Sequence, residues 1–225
     1  MTLFAFEAFS GLHYVLIWVH VGTALAALGF GPVAMLVRKG GHNHRRWGRL
    51  YVRLMVVTNA AALWLLLWRW DTFLFGLTVL ALYSAVTGQR GIRSVSNPGL
   101  ESSLMSAAAL TSLSLLLLAG YTLTVGSEAP SARLTAALAL GFGGLLAQAV
   151  VEDVRRNPAR ADWAYHLNRM VGSYIALVTA FLVQVTDGLV LENVRLLLIA
   201  APSLIAFPIV KLWERYYGRS QQRQT

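Results

Sequence analysis

The chain has no cysteine among its 225 residues, which removes disulfides, thiolate metal sites and thiol nucleophiles from consideration. Charge is scarce as well: Asp, Glu, Lys and Arg make up 13% of the residues, against 56% hydrophobic. Acid is the scarcer sign, with 10 Asp+Glu against 19 Lys+Arg, for a formal net charge of +9. The patterns G-x-S-x-G, H-E-x-x-H and the P-loop are also missing, so nothing in the sequence supports the corresponding hydrolytic or nucleotide chemistry. Long linkers are lacking too. The turn-forming stretches SNPG (96–99), GSEAPS (126–131) and RRNPARAD (155–162) are short and separate apolar runs rather than soluble domains.

What the chain does have is long apolar runs. A mean hydropathy of +0.57 points to a chain whose main solvent is lipid. A bilayer core about 30 Å thick takes roughly 20 apolar residues per helical span. Seven windows of about that kind occur, at 12–37, 50–68, 73–88, 103–125, 134–151, 165–186 and 194–213. Their length and Leu/Ala richness predict an all-α, polytopic transmembrane helical bundle forming a single domain, because lipid leaves only helices and closed barrels with satisfied backbones. The first run is too long for a cleaved leader and lacks a basic start, so it is expected to be retained.

The cations sort by side. Arg38, Lys39, Arg45, Arg46, Arg49 and Arg53, then Arg90 and Arg93, then Arg155, Arg156, Arg160 and Arg169, then Lys211, Arg215, Arg219 and Arg223 fall at alternate ends of the spans. Only Arg69, Arg133 and Arg195 fall at the others. Basic residues favour cytoplasmic loops, so sixteen against three predicts the N-terminus outside and the C-terminus cytoplasmic. The expected partners are the bilayer and its anionic lipids. Dispersal over short loops speaks against nucleic-acid binding.

Polar groups within spans are candidates for function because each costs about 2.5–3.5 kcal/mol on insertion scales if ionised. On the first span His13 and His20 share a face in the outer half. His44, Tyr51 and Asn59 follow one another along the second span; Tyr83, Thr87 and Arg90 along the third; Gln148, Glu152 and Arg155 along the fifth; His166, Arg169, Ser173 and Tyr174 along the sixth. Positions three, four and seven apart share a helix face. Matching depths predict one cytoplasmic-side cluster of His44, Arg49, Tyr51, Tyr83, Arg90, Glu152, His166, Arg169 and Tyr174, with Gln148 and Asn59 in support. Ala137, Gly141, Gly144 and Ala147 form a small-residue stripe expected to pack against a neighbouring helix. Pro202 and Pro208 are expected to kink the last span.

Three stretches, HVGTALAALGFGPVAMLVRKGGHNHRRWGRLYV (20–52), FLFGLTVLALYSAVTGQRGIR (73–93) and HLNRMVGSYIALVTAF (166–181), resemble an uncharacterised bacterial family of multi-pass membrane proteins, that of domain of unknown function 2306. The similarity runs from Leu12 to about Trp213. It marks His20, Gly31, Pro32, Gly41, His44, Arg45, Gly48, Arg49, Tyr51, Tyr83, Gly88, Arg90, His166, Arg169, Met170, Ser173 and Tyr174, and leaves His13 and His42 outside the pattern. The family has no established activity, so the resemblance implies a bacterial inner-membrane setting and a neighbourhood but no reaction.

Four readings of the cluster stand beside one another. The Arg, His and Tyr groups suit an anionic or amphipathic small molecule such as a lipid headgroup or quinone. His44 and His166 suit b-type haem, with His20 a further haem or metal candidate, although the pair sits at helix ends beside arginines and His20 has no partner histidine in the outer half. His42, His44, His166 and Glu152 suit zinc or copper, although Arg45 and Arg46 repel a dication. Finally, the cluster can simply lock the helices together through ion pairs.

Overall fold

The structure, a computed structural model, describes residues 2–90, 98–125, 130–156, 162–186 and 192–222. Seven helices follow in order: α1 (Thr2–Leu36), α2 (His42–Trp68), α3 (Thr72–Arg90), α4 (Pro98–Thr124), α5 (Pro130–Arg155), α6 (Trp163–Thr186) and α7 (Glu192–Gln222). No strand occurs among the described residues. Six helices carry an apolar stretch long enough to cross a membrane: Gly11–Leu36, His42–Trp68, Thr72–Arg90, Ser102–Thr124, Ser131–Arg155 and Trp163–Thr186. The seventh expected span lies on α7, whose apolar part, Ala200–Trp213, is shorter.

Helices run past the expected spans by ten residues at the start of α1, nine at the end of α7 and eight at the start of α2, and it is α2 that bears on the site. It begins at His42 rather than near residue 50, so the basic segment HNHRRWGR is the first two turns of a helix. The connection from α1 is left with five residues, 37–41. Gly40 turns the chain at φ +72°, a left-handed conformation that strains any residue with a Cβ. Asp71 and Asp162 cap α3 and α6, each accepting from the backbone N–H three residues on, Leu74 at 2.9 Å and Tyr165 at 3.0 Å.

α3 is central, packing on α2, α4, α5 and α6, while α6 also meets α1 and α7. The α1–α2 and α4–α5 hairpins flank this middle pair. Ala27, Tyr51, Met55, Leu77, Ala81, Ala85 and Leu177 form the main core. Tyr83, Ala108, Leu146 and Ala149 form a second core, and Leu115, Ala119 and Ala139 a third. Large apolar side chains such as Tyr14, Trp18, Leu110, Leu117, Leu197 and Leu204 cover the outside, as expected where the surroundings are lipid. The chain is therefore a helical-bundle membrane protein.

On α5 the packed face is one residue away from the expected one. Ala137, Gly141 and Gly144 are exposed, and Ala136, Ala139, Gly143, Leu146 and Ala149 are buried instead. Ser112 of α4 donates to the Gly143 carbonyl at 2.8 Å across this close contact. α5 is small-sided on more than one face, so its spacing alone left the rotation ambiguous.

Pro32 lies within α1. It has no N–H, so the Leu28 carbonyl four residues earlier loses its helical donor. The Tyr174 hydroxyl of α6 donates to that carbonyl at 3.1 Å.

Candidate functional site

The ends of α1, α3 and α5 and the starts of α2 and α6 meet at one end of the bundle, and the expected cluster divides there into two centres. The first is built on Asp153. This carboxylate accepts from Arg169 Nη2 at 2.9 Å, from Tyr165 Oη at 2.6 Å and, through its other oxygen, from Tyr83 Oη. Arg169 also donates to the Ala149 carbonyl at 2.7 Å and to Glu152 at 3.2 Å. Its guanidinium lies 5.5 Å from the Tyr83 ring centre and 5.0 Å from that of Tyr165, within cation–π range. The Arg169 and Asp153 side chains are each 7% exposed, while that of Glu152 is 54% exposed. The dominant pair is thus Arg169–Asp153, closed and desolvated, with both tyrosines turned to the carboxylate. Beside it, Arg90, Arg156, Thr87 and Tyr165 line a pocket of about 320 Å³.

The second centre is a histidine pair. His44 Nδ1–H donates to the Ala34 carbonyl at 2.8 Å and His166 Nδ1–H to the Gly88 carbonyl at 2.7 Å. A carbonyl only accepts, so both rings carry their proton on Nδ1. Both carbonyls belong to the last turns of α1 and α3, where helical donors run out. Each histidine therefore completes the end of a neighbouring helix and keeps Nε2 for something else. The ring centres are 6.2 Å apart with planes at 80°. Gly88 permits the close approach of α3 to α6: a Cβ there would lie 2.7 Å from Arg169 Cβ.

A cavity of about 600 Å³ opens on this pair, between the α1–α2 turn, α2, α6 and α7. His44, His166, Lys39, Arg49 and Tyr51 contribute polar groups to its wall, and Val52, Met170, Val171, Trp163 and Trp213 apolar ones. The Lys39 ammonium donates to the Met35 carbonyl and lies 5.2 Å from the Trp213 ring centre. Burial pushes its amine below the usual lysine value. Tyr51 Oη shares a hydrogen bond of 2.9 Å with the buried Ser173 Oγ.

Several expected members lie elsewhere. Tyr83 and Arg169 belong to the Asp153 centre, and Arg90 to the smaller pocket. Tyr174 leans on Tyr51, ring centres 6.3 Å apart, while its hydroxyl serves Leu28. Gln148, Glu152 and Arg155 are exposed, on the outward side of the same α5 rotation that exposes the small-residue stripe. Asn59 closes on its own helix, donating to the Met55 carbonyl at 2.7 Å. His20 bonds through Nδ1 to the Thr58 carbonyl at 3.0 Å, within a small α1–α2 clasp completed by Thr58 and Thr23. Fourteen residues separate His20 from Ala34, about 21 Å along α1 at 1.5 Å per residue, so it does not join the pair. His42 is exposed, and no group of three or more His, Cys, Asp or Glu suited to a metal occurs among the described residues.

The expected cluster left out Tyr165 and Asp153, the latter legible beside Glu152 only as half of a helix-end or salt-bridging acidic pair. The signal available was Leu146, Ala149 and Asp153, an apolar stripe ending in a carboxylate at i, i+3 and i+7. No known protein family, curated protein or solved structure matches the chain.

Proposed function

We propose that the protein binds an anionic, amphipathic small molecule, of the lipid-headgroup or quinone kind, in the cavity between α1, α2, α6 and α7. The observation that carries this is the cavity itself: its volume lies in the range of ligand sites, and cationic, imidazole and hydroxyl groups share its wall with apolar side chains. Closed ion pairs would have left no such space. Lys39, Arg45 and Arg49 supply positive charge, and no carboxylate lines the cavity among the described residues. The starts of α2 and α6 add the positive ends of two helix dipoles. Tyr51 and the two Nε2 atoms offer further polar contacts.

The Asp153 centre supports a different role. Asp153 holds Arg169 and both tyrosines, and Arg169 also holds the Ala149 carbonyl, which fits a lock between α3, α5 and α6.

The proposal includes the setting. All seven helices span a bacterial cytoplasmic membrane, N-terminus outside and C-terminus inside, with the cavity at the cytoplasmic end among anionic headgroups. The motifs at 20–52, 73–93 and 166–181 support placing the chain in the uncharacterised bacterial family they resemble. The test is native mass spectrometry of protein purified in mild detergent. A small-molecule adduct is expected, and Arg49→Ala should lower its occupancy about tenfold, the worth of one charge-assisted hydrogen bond. No adduct in either protein would overturn the reading.

A further inference from the structure

We infer that the occupant of this cavity is an iron porphyrin, held by the Nε2 atoms of His44 and His166 on its two faces. The inference rests on the ligand-binding reading above and narrows its chemical class: haem is an apolar disc with two carboxylates on one edge, an anionic amphipath.

Four observations converge on it. First, the tautomers are set. Both Nδ1 atoms donate to backbone carbonyls, and neither Nε2 has a partner among the described residues. Imidazoles that ligate metals are oriented in this way, the second nitrogen fixed by a backbone or carboxylate acceptor.

Second, the spacing fits. Metal–imidazole bonds of about 2 Å, with about 1.2 Å from nitrogen to ring centre on each side, put the centres of two opposed rings about 6.4 Å apart. The observed separation is 6.2 Å. The 80° between ring planes is compatible, because two axial imidazoles need share only the direction of the iron.

Third, the ligand count discriminates. A structural zinc ion takes four protein ligands, and no cluster of three or more candidates exists among the described residues. A porphyrin brings four equatorial nitrogens of its own, so two histidines complete six-coordination.

Fourth, the composition of the walls suits a flat apolar ring with a charged edge. Gly31, Ala34 and Gly48 line the cavity with little side-chain bulk, and Lys39 and Arg49 in the same lining supply cations for two carboxylates.

The experiment is an absorption and electron paramagnetic resonance study of the full chain in detergent, as purified and after titration with hemin. The expected result is one haem per chain with the spectrum of a six-coordinate, low-spin, bis-imidazole iron. His44→Ala and His166→Ala should each weaken hemin binding by more than about tenfold. Because each histidine also completes a helix end, His166→Met is made alongside. It keeps an axial donor and should shift the reduced spectrum and raise the midpoint potential. Arg49→Ala should weaken binding while leaving the six-coordinate spectrum unchanged, and His42→Ala should change neither. Hemin bound with a spectrum indifferent to both histidines would overturn the inference. So would failure to bind hemin while mass spectrometry finds another amphipath lost on Arg49→Ala, an outcome that leaves the ligand-binding reading standing. Absence of any occupant sinks both.

Discussion

At the scale of single residues, the polar side chains within this bundle are there to answer particular backbone or charge deficits. Asp153 answers Arg169. Removing its charge leaves a guanidinium in a water-poor site, and Asp153→Asn is expected to cost about 3–5 kcal/mol, read by thermal or denaturant unfolding in detergent. Glu152→Gln, at the exposed side of the same cation, should cost less than about 1 kcal/mol. Equal losses would show that the two carboxylates share the role. Tyr174 answers Pro32. Tyr174→Phe strands the Leu28 carbonyl, whereas Pro32→Ala gives that carbonyl a helical donor again. The two substitutions should therefore couple, the tyrosine change costing about 0.5–2 kcal/mol less in the Pro32→Ala background. A purely additive cycle would contradict the pairing. The sequence made His44, Tyr51, His166 and Arg169 legible as buried polar groups, because such groups are rare and costly in apolar spans. It could not say which partner each one meets. It could not choose between Glu152 and Asp153 either, since adjacent acids at a helix end differ only in the direction they face.

At the scale of the element, the limits of the sequence have one geometrical source. Successive residues on a helix lie about 100° apart at 3.6 per turn. Where a helix is small and apolar all round, several rotations fit the pattern nearly equally. α5 is such a helix, and both its small-residue stripe and its polar stripe, Gln148, Glu152 and Arg155, face outward. α2 and α6 were readable because their polar residues recur on one face and their opposite faces are apolar. The α5 rotation predicts an asymmetry. Ala139 is buried against α4 and Gly141 is exposed, so Ala139→Leu should destabilise by about 1–3 kcal/mol through overpacking while Gly141→Leu should be nearly neutral in lipid or detergent. The reverse order would return α5 to the rotation expected from its spacing.

At the scale of the whole molecule, the helix order and the gathering of basic helix ends follow from the run lengths and the alternation of cations. Apolar length decides spanning, and cation placement correlates with side. The ambiguous member is α7, whose apolar stretch Ala200–Trp213 is short and holds two prolines. With no native cysteine, single introduced cysteines report sidedness without background. Asn43→Cys and Thr225→Cys should resist an impermeant thiol reagent in intact cells, and Arg69→Cys should react. Labelling of Thr225→Cys from outside would leave α7 on the membrane surface, with six spans.

The histidine clasps make two helix ends depend on helices that come later in the chain: His44 of α2 closes the last turn of α1, and His166 of α6 that of α3. The first tie spans only ten residues and can form as soon as α2 exists. The second spans 78, so the end of α3 is completed only once α6 is in place.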